Sequence, residues 1–276
     1  DKYIIKSKQL VGNKIYLDFA SVGATVNIML AAVTAEGTTY IENAAKEPEI
    51  VNIATLLINM GAKIVGAGTH LLIIHGVGVK KLHEATIETC PDRIEACTYI
   101  IIGALLGNLK ITKIIPEHIN AFLMKLQEMK VKYKVDTDTI YIYKTNDFKP
   151  AKIKTLIYPG LPTDVQQPMC AMLTQANGKS YITETLYENR YTQMVELNKM
   201  GAKIYQKGNI LVINGPTNLQ GEEVIAHDLR CGAALVIAGL VAEGTTKITN
   251  IQHILRGYEN IIEKLTKIGA KIKLEE

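Results

Sequence analysis

Met60-Gly61-Ala62-Lys63-Ile64 returns as Met200-Gly201-Ala202-Lys203-Ile204 and as Ile268-Gly269-Ala270-Lys271-Ile272, with a degenerate copy at Met129-Lys130-Val131-Lys132-Tyr133. The steps from Gly61 to Lys130, Gly201 and Gly269 are 69, 71 and 68 residues. A fixed period of this kind marks a chain built of repeated supersecondary units. A second phrase accompanies it: Ala35-Glu36-Gly37-Thr38-Thr39 recurs as Ala242-Glu243-Gly244-Thr245-Thr246, and in weaker form at Leu106-Gly107-Asn108-Leu109 and Ala176-Asn177-Gly178-Lys179.

Each unit reads alike. A helix rich in small residues comes first (24–35, 94–106, 165–176, 229–242) and Gly or Asn stops it. A short alternating strand follows, such as 38–41 or 245–249. A second, amphipathic helix comes next; over 258–268 the apolar Ile261, Ile262, Leu265 and Ile268 fall at helical spacing. Pro48 and Pro116 stand where a first helical turn accepts proline. The repeated turn then leads into a hairpin, for example 64–65 with 71–74. The unit is βαβαββ, the class α/β (α+β), and the chain holds about four units. Residues 3–18, which alternate around Gly12-Asn13, read as the closing hairpin of an earlier unit. The last unit reads as one hairpin strand without its second, leaving an open sheet edge.

The composition agrees with a folded α/β chain. Of 276 residues 47% are hydrophobic and 21% charged, enough to bury a large core and unlike disordered, collagen-like or small disulfide-stapled chains. No apolar run approaches the roughly 18–20 residues of a membrane span. A net charge of +4 with Lys and Glu interspersed does not argue for nucleic acid, and Tyr141 and Tyr143, alternating with Ile140 and Ile142, read as strand packing. Cys90, Cys97, Cys170 and Cys231 lack metal spacing, as do the six histidines, so no metal is implied. Cys97, Cys170 and Cys231 read as buried small hydrophobes in a reducing cytoplasm. The chain opens on Asp1, so it reads as a processed chain or a fragment.

Chemistry-bearing residues collect at the starts of the first helices: Ser21-Val22-Gly23, Asp92-Arg93, Thr163-Asp164 and Asp228-Leu229-Arg230. One Ser or Asp there is a helix cap, and repeats of this length also serve as plain scaffolds. Several together, two with arginine, suit an anion, because helix N-termini present free N–H groups and a partial positive charge.

Longer phrases are more specific. They include Ser21-Val22-Gly23-Ala24-Thr25 with Asn27, Glu42-Asn43-Ala44-Ala45-Lys46-Glu47-Pro48, Pro91-Asp92-Arg93-Ile94-Glu95-Ala96 and Tyr158-Pro159-Gly160-Leu161-Pro162-Thr163-Asp164. Ile182-Thr183-Glu184-Thr185, Glu188-Asn189-Arg190, Asp228-Leu229-Arg230 and Arg256-Gly257-Tyr258-Glu259 follow. In order and spacing, over the whole chain, these resemble the UDP-N-acetylglucosamine 1-carboxyvinyltransferase family of enolpyruvyl transferases.

That resemblance implies two domains, each an inside-out α/β barrel of three such units. Residues 1–90 would be the C-terminal part of the first. Residues 91–276 would be the second, lacking a strand that the family's N-terminal segment supplies, so the N-terminal part of the polypeptide would be missing. The implied reaction moves enolpyruvyl from phosphoenolpyruvate to the 3′-hydroxyl of UDP-N-acetylglucosamine, opening peptidoglycan synthesis in the cytoplasm without a cofactor. The implied roles make Asp164 the base at the sugar hydroxyl. Arg190, Arg230 and Arg256 become cleft arginines, whose forks suit phosphate and carboxylate, and Asp228 joins Arg230 at the reaction centre. Ser21, Val22 and Gly23 would meet the nucleotide and Leu186 the substrate amide region, with Thr163 beside Asp164. Arg93 and Glu95 fall at hinge-side positions.

The family's cysteine-bearing loop and its Lys-Asn pair have no match here, so the isolated chain is expected to be inactive. Leu255, Tyr191-Thr192-Gln193 and Cys97 depart from the family's usual residues. Three other readings are weighed: the related shikimate-pathway transferase, a non-catalytic or regulatory nucleotide-sugar-binding homologue, and RNA-end chemistry on similar units. Arg190 can also be read as a surface ion pair, and His227 as lying near the cleft.

Overall fold

The four copies of the repeated turn share one backbone solution. At the first, the N–H of Ala62 reaches back to the Leu57 carbonyl at 2.9 Å and that of Gly61 to Ile58 at 2.9 Å. Ala202 reaches Leu197 and Gly201 reaches Asn198; Ala270 reaches Leu265 and Gly269 reaches Thr266. This is the six-to-one closure that ends a helix, and its pivot residue is left-handed. Gly61, Gly201 and Gly269 have φ of 101°, 95° and 97°. In the degenerate copy Val131 reaches Leu126, and Lys130 takes φ 62° without the freedom of glycine.

The structure, a computed structural model, describes residues 4, 6–188 and 190–275; Tyr3, Ile5, Asn189 and Glu276 of the sequence reading lie outside them. The chain divides into two compact units, Asp1–Cys90 with Ile157–Pro159, and Pro91–Leu156 with Gly160–Glu276.

The first unit is one complete repeat. It runs β1 (Lys14–Tyr16), α1 (Val22–Ala32), β2 (Thr38–Glu42), α2 (Pro48–Asn59), β3 (Lys63–Val65) and β4 (Leu71–His75), followed by a short 3₁₀ turn over 79–81. Its sheet has the order β1-β2-β4-β3. β1 is parallel to β2, while β2–β4 and β3–β4 are antiparallel. The expected hairpin at 3–18 is therefore corrected: Lys14–Tyr16 is the first, parallel strand of this same repeat. Alternation alone does not give strand direction, and Gly12 is not a turn residue. It is pressed on a neighbouring strand: a Cβ there would lie 2.4 Å from the Thr38 carbonyl oxygen. Gly221 makes the same approach to Thr245 in the last repeat, beside the matching Val11–Glu36 and Gln220–Glu243 bridges. The core of this unit joins Met29, Ile41, Ile50, Leu57, Ile64, Leu72 and Ile74. Helix α1 buries only Thr25, Met29 and Ala32 and leaves Val22 and Leu30 exposed.

The second unit holds three repeats in different states of completion. The first gives α3 (Arg93–Leu106), β5 (Leu109–Thr112), α4 (Asn120–Glu128), β6 (Tyr133–Val135) and β7 (Thr139–Ile142), in a three-stranded sheet β5-β7-β6. Pro116 opens a 3₁₀ turn ahead of α4 rather than the helix itself. The next gives β8 (Lys152–Lys154), α5 (Thr163–Leu173), β9 (Gly178–Thr183), α6 (Thr192–Lys199), β10 (Lys203–Lys207) and β11 (Ile210–Gly215). Its sheet order, β10-β11-β9-β8, matches that of the first unit strand for strand. The last gives β12 (Glu223–Ile225), α7 (Leu229–Val241), β13 (Lys247–Thr249), α8 (Gln252–Leu255) and α9 (Ile261–Lys267). β12 and β13 pair in parallel.

Two further elements depart from the sequence pattern. The helix expected over 258–268 is shorter, because Asn260 takes φ 50° and breaks it from α8; Ile261 and Leu265 are buried, and Ile268 is exposed. No strand forms among the described residues after α9, since a hairpin strand without its partner gains no ladder bonds.

The three first helices α3, α5 and α7 pack on one another, and nearly every residue of α5 and of the middle of α7 is buried. Helix α7 is apolar on nearly all sides and belongs inside; α5 is buried although it carries Gln166 and Gln167. Gly232 lets α7 lie against α8: a Cβ there would sit 2.3 Å from Ile254. Cys97, Cys170 and Cys231 line this core. Burial pushes their thiols up, to about 12 for Cys170 and about 11 for Cys231, so they pack as small hydrophobes.

Candidate active site

The helix starts divide into two kinds. Ser21 caps α1, its hydroxyl accepting from Ala24 N at 3.2 Å. Asp92 caps α3 through Ile94 N and Glu95 N at 2.8 and 2.9 Å. Asp228 caps α7 through Arg230 N and Cys231 N at 2.8 and 2.9 Å. Helix α5 differs. The residue before it is Pro162, which offers no cap bond, and Asp164 lies inside its first turn. Its carboxylate is therefore not engaged by the backbone.

Asp164 instead meets two guanidiniums at one oxygen. Arg190 Nη2 donates to Oδ1 at 2.8 Å and Arg230 Nε donates to the same atom at 3.3 Å. Arg190 comes from the segment before α6, and Arg230 from the first turn of α7, where the Asp228 cap sets it. Burial would raise the Asp164 pKa; the Arg230 and Arg190 charges and hydrogen bonds overcome this and hold it below the usual carboxylate range. The side chain is still 38% exposed, open to a ligand.

Each arginine is held from behind by a hydroxyl. Arg190 Nη1 donates to Thr163 Oγ1 at 2.9 Å, and the guanidinium stacks on the Tyr187 ring, 4.9 Å from its centre. Arg230 Nη1 donates to Tyr258 Oη at 3.3 Å. Tyr258 is fully buried and lies 2.9 Å from Thr98 Oγ1, whose own proton goes to the Ile94 carbonyl. The Tyr258 hydroxyl therefore donates to Thr98 and offers its lone pairs to Arg230.

Asp228 has a fuller set of partners. Besides the cap, its Oδ2 accepts from Thr192 Oγ1 at 2.9 Å and Gln167 Nε2 at 3.5 Å. Burial alone would raise its pKa, but these donors, the Cys231 N–H first, lower it. Such a carboxylate is a structural tie. Arg256 stands exposed at the end of α8, and no ion pair joins it to Asp164 among the described residues. Leu186 donates its N–H to Glu184 Oε1 at 2.8 Å and lines a cavity of about 620 Å³ with Tyr187, Glu188, Tyr191 and Asn209. Arg93 is buried at the start of α3, and Glu95 pairs with Lys264 at 2.7 Å. His227 faces Glu196, 3.2 Å away. Ser21, Val22 and Gly23 belong to the first unit. Val22 is exposed and Gly23 borders open space, so the start of α1 is accessible. Among the described residues no group of His, Cys, Asp and Glu could hold a metal, and no helix is long and apolar enough to cross a membrane.

Two residues of this network carry no signal in the helix-start pattern: Tyr258 and Glu184. For Glu184 a signal exists. Ser180, Ile182 and Glu184 alternate onto the buried side of β9 and its end, and an acid at such a register position requires dedicated partners.

The sequence matches, over residues 2–265, the family model described as EPSP synthase (3-phosphoshikimate 1-carboxyvinyltransferase). The chain belongs to this family. It is 51% identical, over 99% of its length, to UDP-N-acetylglucosamine 1-carboxyvinyltransferase 2 of Geobacillus kaustophilus and 52% identical, over 97%, to that of Listeria monocytogenes. It spans 63% of the length of each. Among solved structures, the enolpyruvyl transferase NikO from Streptomyces tendae superposes with a TM-score of 0.89 at 28% identity, over 97% of this chain and 66% of that one. EPSP synthase from Acinetobacter baumannii, at 18% identity and a TM-score of 0.72, covers 97% and 65% and shares the fold.

Proposed function

We propose that this chain is the larger part of an enolpyruvyl transferase that moves the enolpyruvyl group of phosphoenolpyruvate to the 3′-hydroxyl of UDP-N-acetylglucosamine, the first committed step of peptidoglycan synthesis, in the cytoplasm. The observation that carries the proposal is the Asp164 carboxylate, free of capping duty and gripped at one oxygen by Arg190 and Arg230. The relatives at 51–52% identity, by their names, favour the nucleotide sugar as acceptor.

In this reading Asp164 takes the proton of the sugar hydroxyl as its oxygen bonds to the central carbon of the donor. A carboxylate held by two arginines is a weak base. A donor bearing phosphate and carboxylate competes for Arg190, Arg230 and the exposed Arg256. As it draws them off, the Asp164 pKa rises toward one suited to a general base. Phosphate leaves toward the same cations. Protonation of the donor methylene, and the later loss of a proton from that same carbon that restores the double bond as phosphate departs, are assigned to no residue of this chain. Thr163 and Leu186 line the acceptor side, Ser21, Val22 and Gly23 take the nucleotide, Asp228 sets Arg230, and Arg93 serves at a hinge-side position.

The same reading takes residues 1–90 as the C-terminal part of one inside-out α/β barrel domain and 91–276 as the second. Further repeats would cover the exposed apolar side of α1, and a strand from elsewhere in the polypeptide would complete the second domain's sheets. The test is direct. Calorimetry of this chain with UDP-N-acetylglucosamine and, separately, shikimate 3-phosphate is expected to show binding of the first alone. Joined to the segment of the Geobacillus relative that it does not cover, the chain is expected to release phosphate from phosphoenolpyruvate only with UDP-N-acetylglucosamine. Preference for shikimate 3-phosphate, or no turnover in the joined protein, would overturn the proposal.

A further inference from the structure

We infer that Glu184 is a positioning residue for Arg190, acting through the hydroxyl of Thr163. Glu184 is 3% exposed, just past the end of β9, and among the described residues the four hydrogen bonds its carboxylate accepts come from no cation. Its Oε2 accepts from Thr163 Oγ1 at 2.7 Å. Its Oε1 accepts from Thr155 Oγ1 at 2.7 Å, Leu186 N at 2.8 Å and Tyr187 N at 3.3 Å.

A threonine hydroxyl has one proton. With that proton committed to Glu184, the Thr163 oxygen can only accept, and the group facing it is Arg190 Nη1 at 2.9 Å. The other Arg190 nitrogen, Nη2, goes to Asp164 Oδ1. Two neighbouring residues on α5 thus fix the two ends of one guanidinium fork. The same Glu184 carboxylate also ties down the turn at 186–187, which carries the ring on which Arg190 stacks. A buried acid is linked to a cation through a hydroxyl whose polarity it dictates.

An amide in its place breaks the arrangement without changing its shape. Three donors meet Oε1, so the amide oxygen stays on that side, and the amide N–H₂ faces Thr163. The Thr163 proton then has no acceptor except in the direction of Arg190, where donor meets donor. Glu184→Gln is therefore expected to release Arg190 from α5. Thr163→Val cuts the relay at its middle and is expected to do the same, whereas Thr163→Ser preserves it. Thr155→Val removes a donor from the far oxygen and the acceptor of the Thr185 N–H; it strains the same carboxylate while leaving the Thr163 relay whole.

The test uses the whole chain without ligand and reads two NMR signals: hydrogen exchange at the Arg190 Nη groups and the pH titration of the Asp164 carboxyl carbon. Glu184→Gln and Thr163→Val are expected to speed Arg190 exchange about tenfold, the scale of one lost hydrogen bond to a charged group, and to move the Asp164 midpoint up toward the ordinary carboxylate range. Thr163→Ser and Thr155→Val are expected to change neither, although Thr155→Val lowers the melting temperature. Unchanged Arg190 and Asp164 signals in folded Glu184→Gln, or equal shifts in Thr155→Val, would overturn the inference. Should Glu184→Gln not fold, unchanged signals in Thr163→Val overturn it alone. Its bearing on turnover rests on the transferase reading, but neither signal needs a substrate, so each can fail while the other stands.

Discussion

Asp164 and Asp228 stand at the starts of adjacent, packed helices, and their carboxylates are held in different ways. Asp228 precedes α7 and uses one oxygen on two backbone N–H groups and the other on Thr192 and Gln167. Asp164 lies two positions past Pro162, inside the first turn of α5, and among the described residues its side-chain partners are guanidiniums. A shift of two positions converts a helix cap into an anion whose partners a ligand can take away. The capping aspartate still serves the other, because it fixes the turn from which Arg230 reaches across.

The largest expected effect breaks this contrast outright. In the joined transferase, Asp164→Ala is expected to lower turnover by about 10²–10⁴-fold, the range of general base catalysis, with little change in melting temperature. Phosphate-release kinetics and calorimetry check both halves. Asp228→Ala is expected to cost stability first, about 1–2 kcal/mol for a lost cap and stranded donors, and Asp228→Asn to recover the cap but not the Thr192 and Gln167 bonds, since its amide N–H₂ faces those two donors. Urea unfolding measures this; equal recovery of turnover by Asn at both positions would erase the distinction.

Acid sharpens the comparison. Both carboxyls lie below the ordinary value of 3.8 in the folded chain, so the unfolded chain binds their protons more readily. The stability they add is full above that value and is lost as pH falls through their lowered folded values. Asp228→Ala is expected to flatten the stability–pH curve below about pH 4, which denaturant midpoints across that range would show. Tyr258→Phe removes the acceptor behind Arg230 and is expected to cost about 1 kcal/mol and to weaken binding of inorganic phosphate. Smallest of all, Lys130→Gly is expected to raise stability by about 0.5–1 kcal/mol, because it restores the glycine that the other three turns have at a left-handed position.

Much of this was legible in the residues. The repeated turn announces the period, and so the likeness of the two complete repeats, but not their shared sheet order. The capping role of Ser21, Asp92 and Asp228 could be read from residue type and place. Strand direction at Lys14–Tyr16 could not, because alternation is the same for parallel and antiparallel partners, and Gly12 served close packing where a turn was expected. The break at Asn260 depended on a single left-handed residue inside an apolar pattern of good helical spacing. The meeting of Asp164, Arg190 and Arg230 was visible only as three separated phrases. Glu184 and Tyr258, which hold the two arginines, stood within quoted phrases and Glu184 at a buried register position, but their roles were not legible because a buried polar group is defined by partners distant in sequence.

The trio of core helices α3, α5 and α7, one from each repeat, has a consequence for how such a chain can be divided. Every module contributes a rod buried on nearly all sides to a shared centre, and none can shield its own. A single seventy-residue module released by a protease would expose that rod to water and clump. Half-dismantled forms of this unit should therefore be scarce, and an insertion or deletion that displaces one rod should be felt by all three.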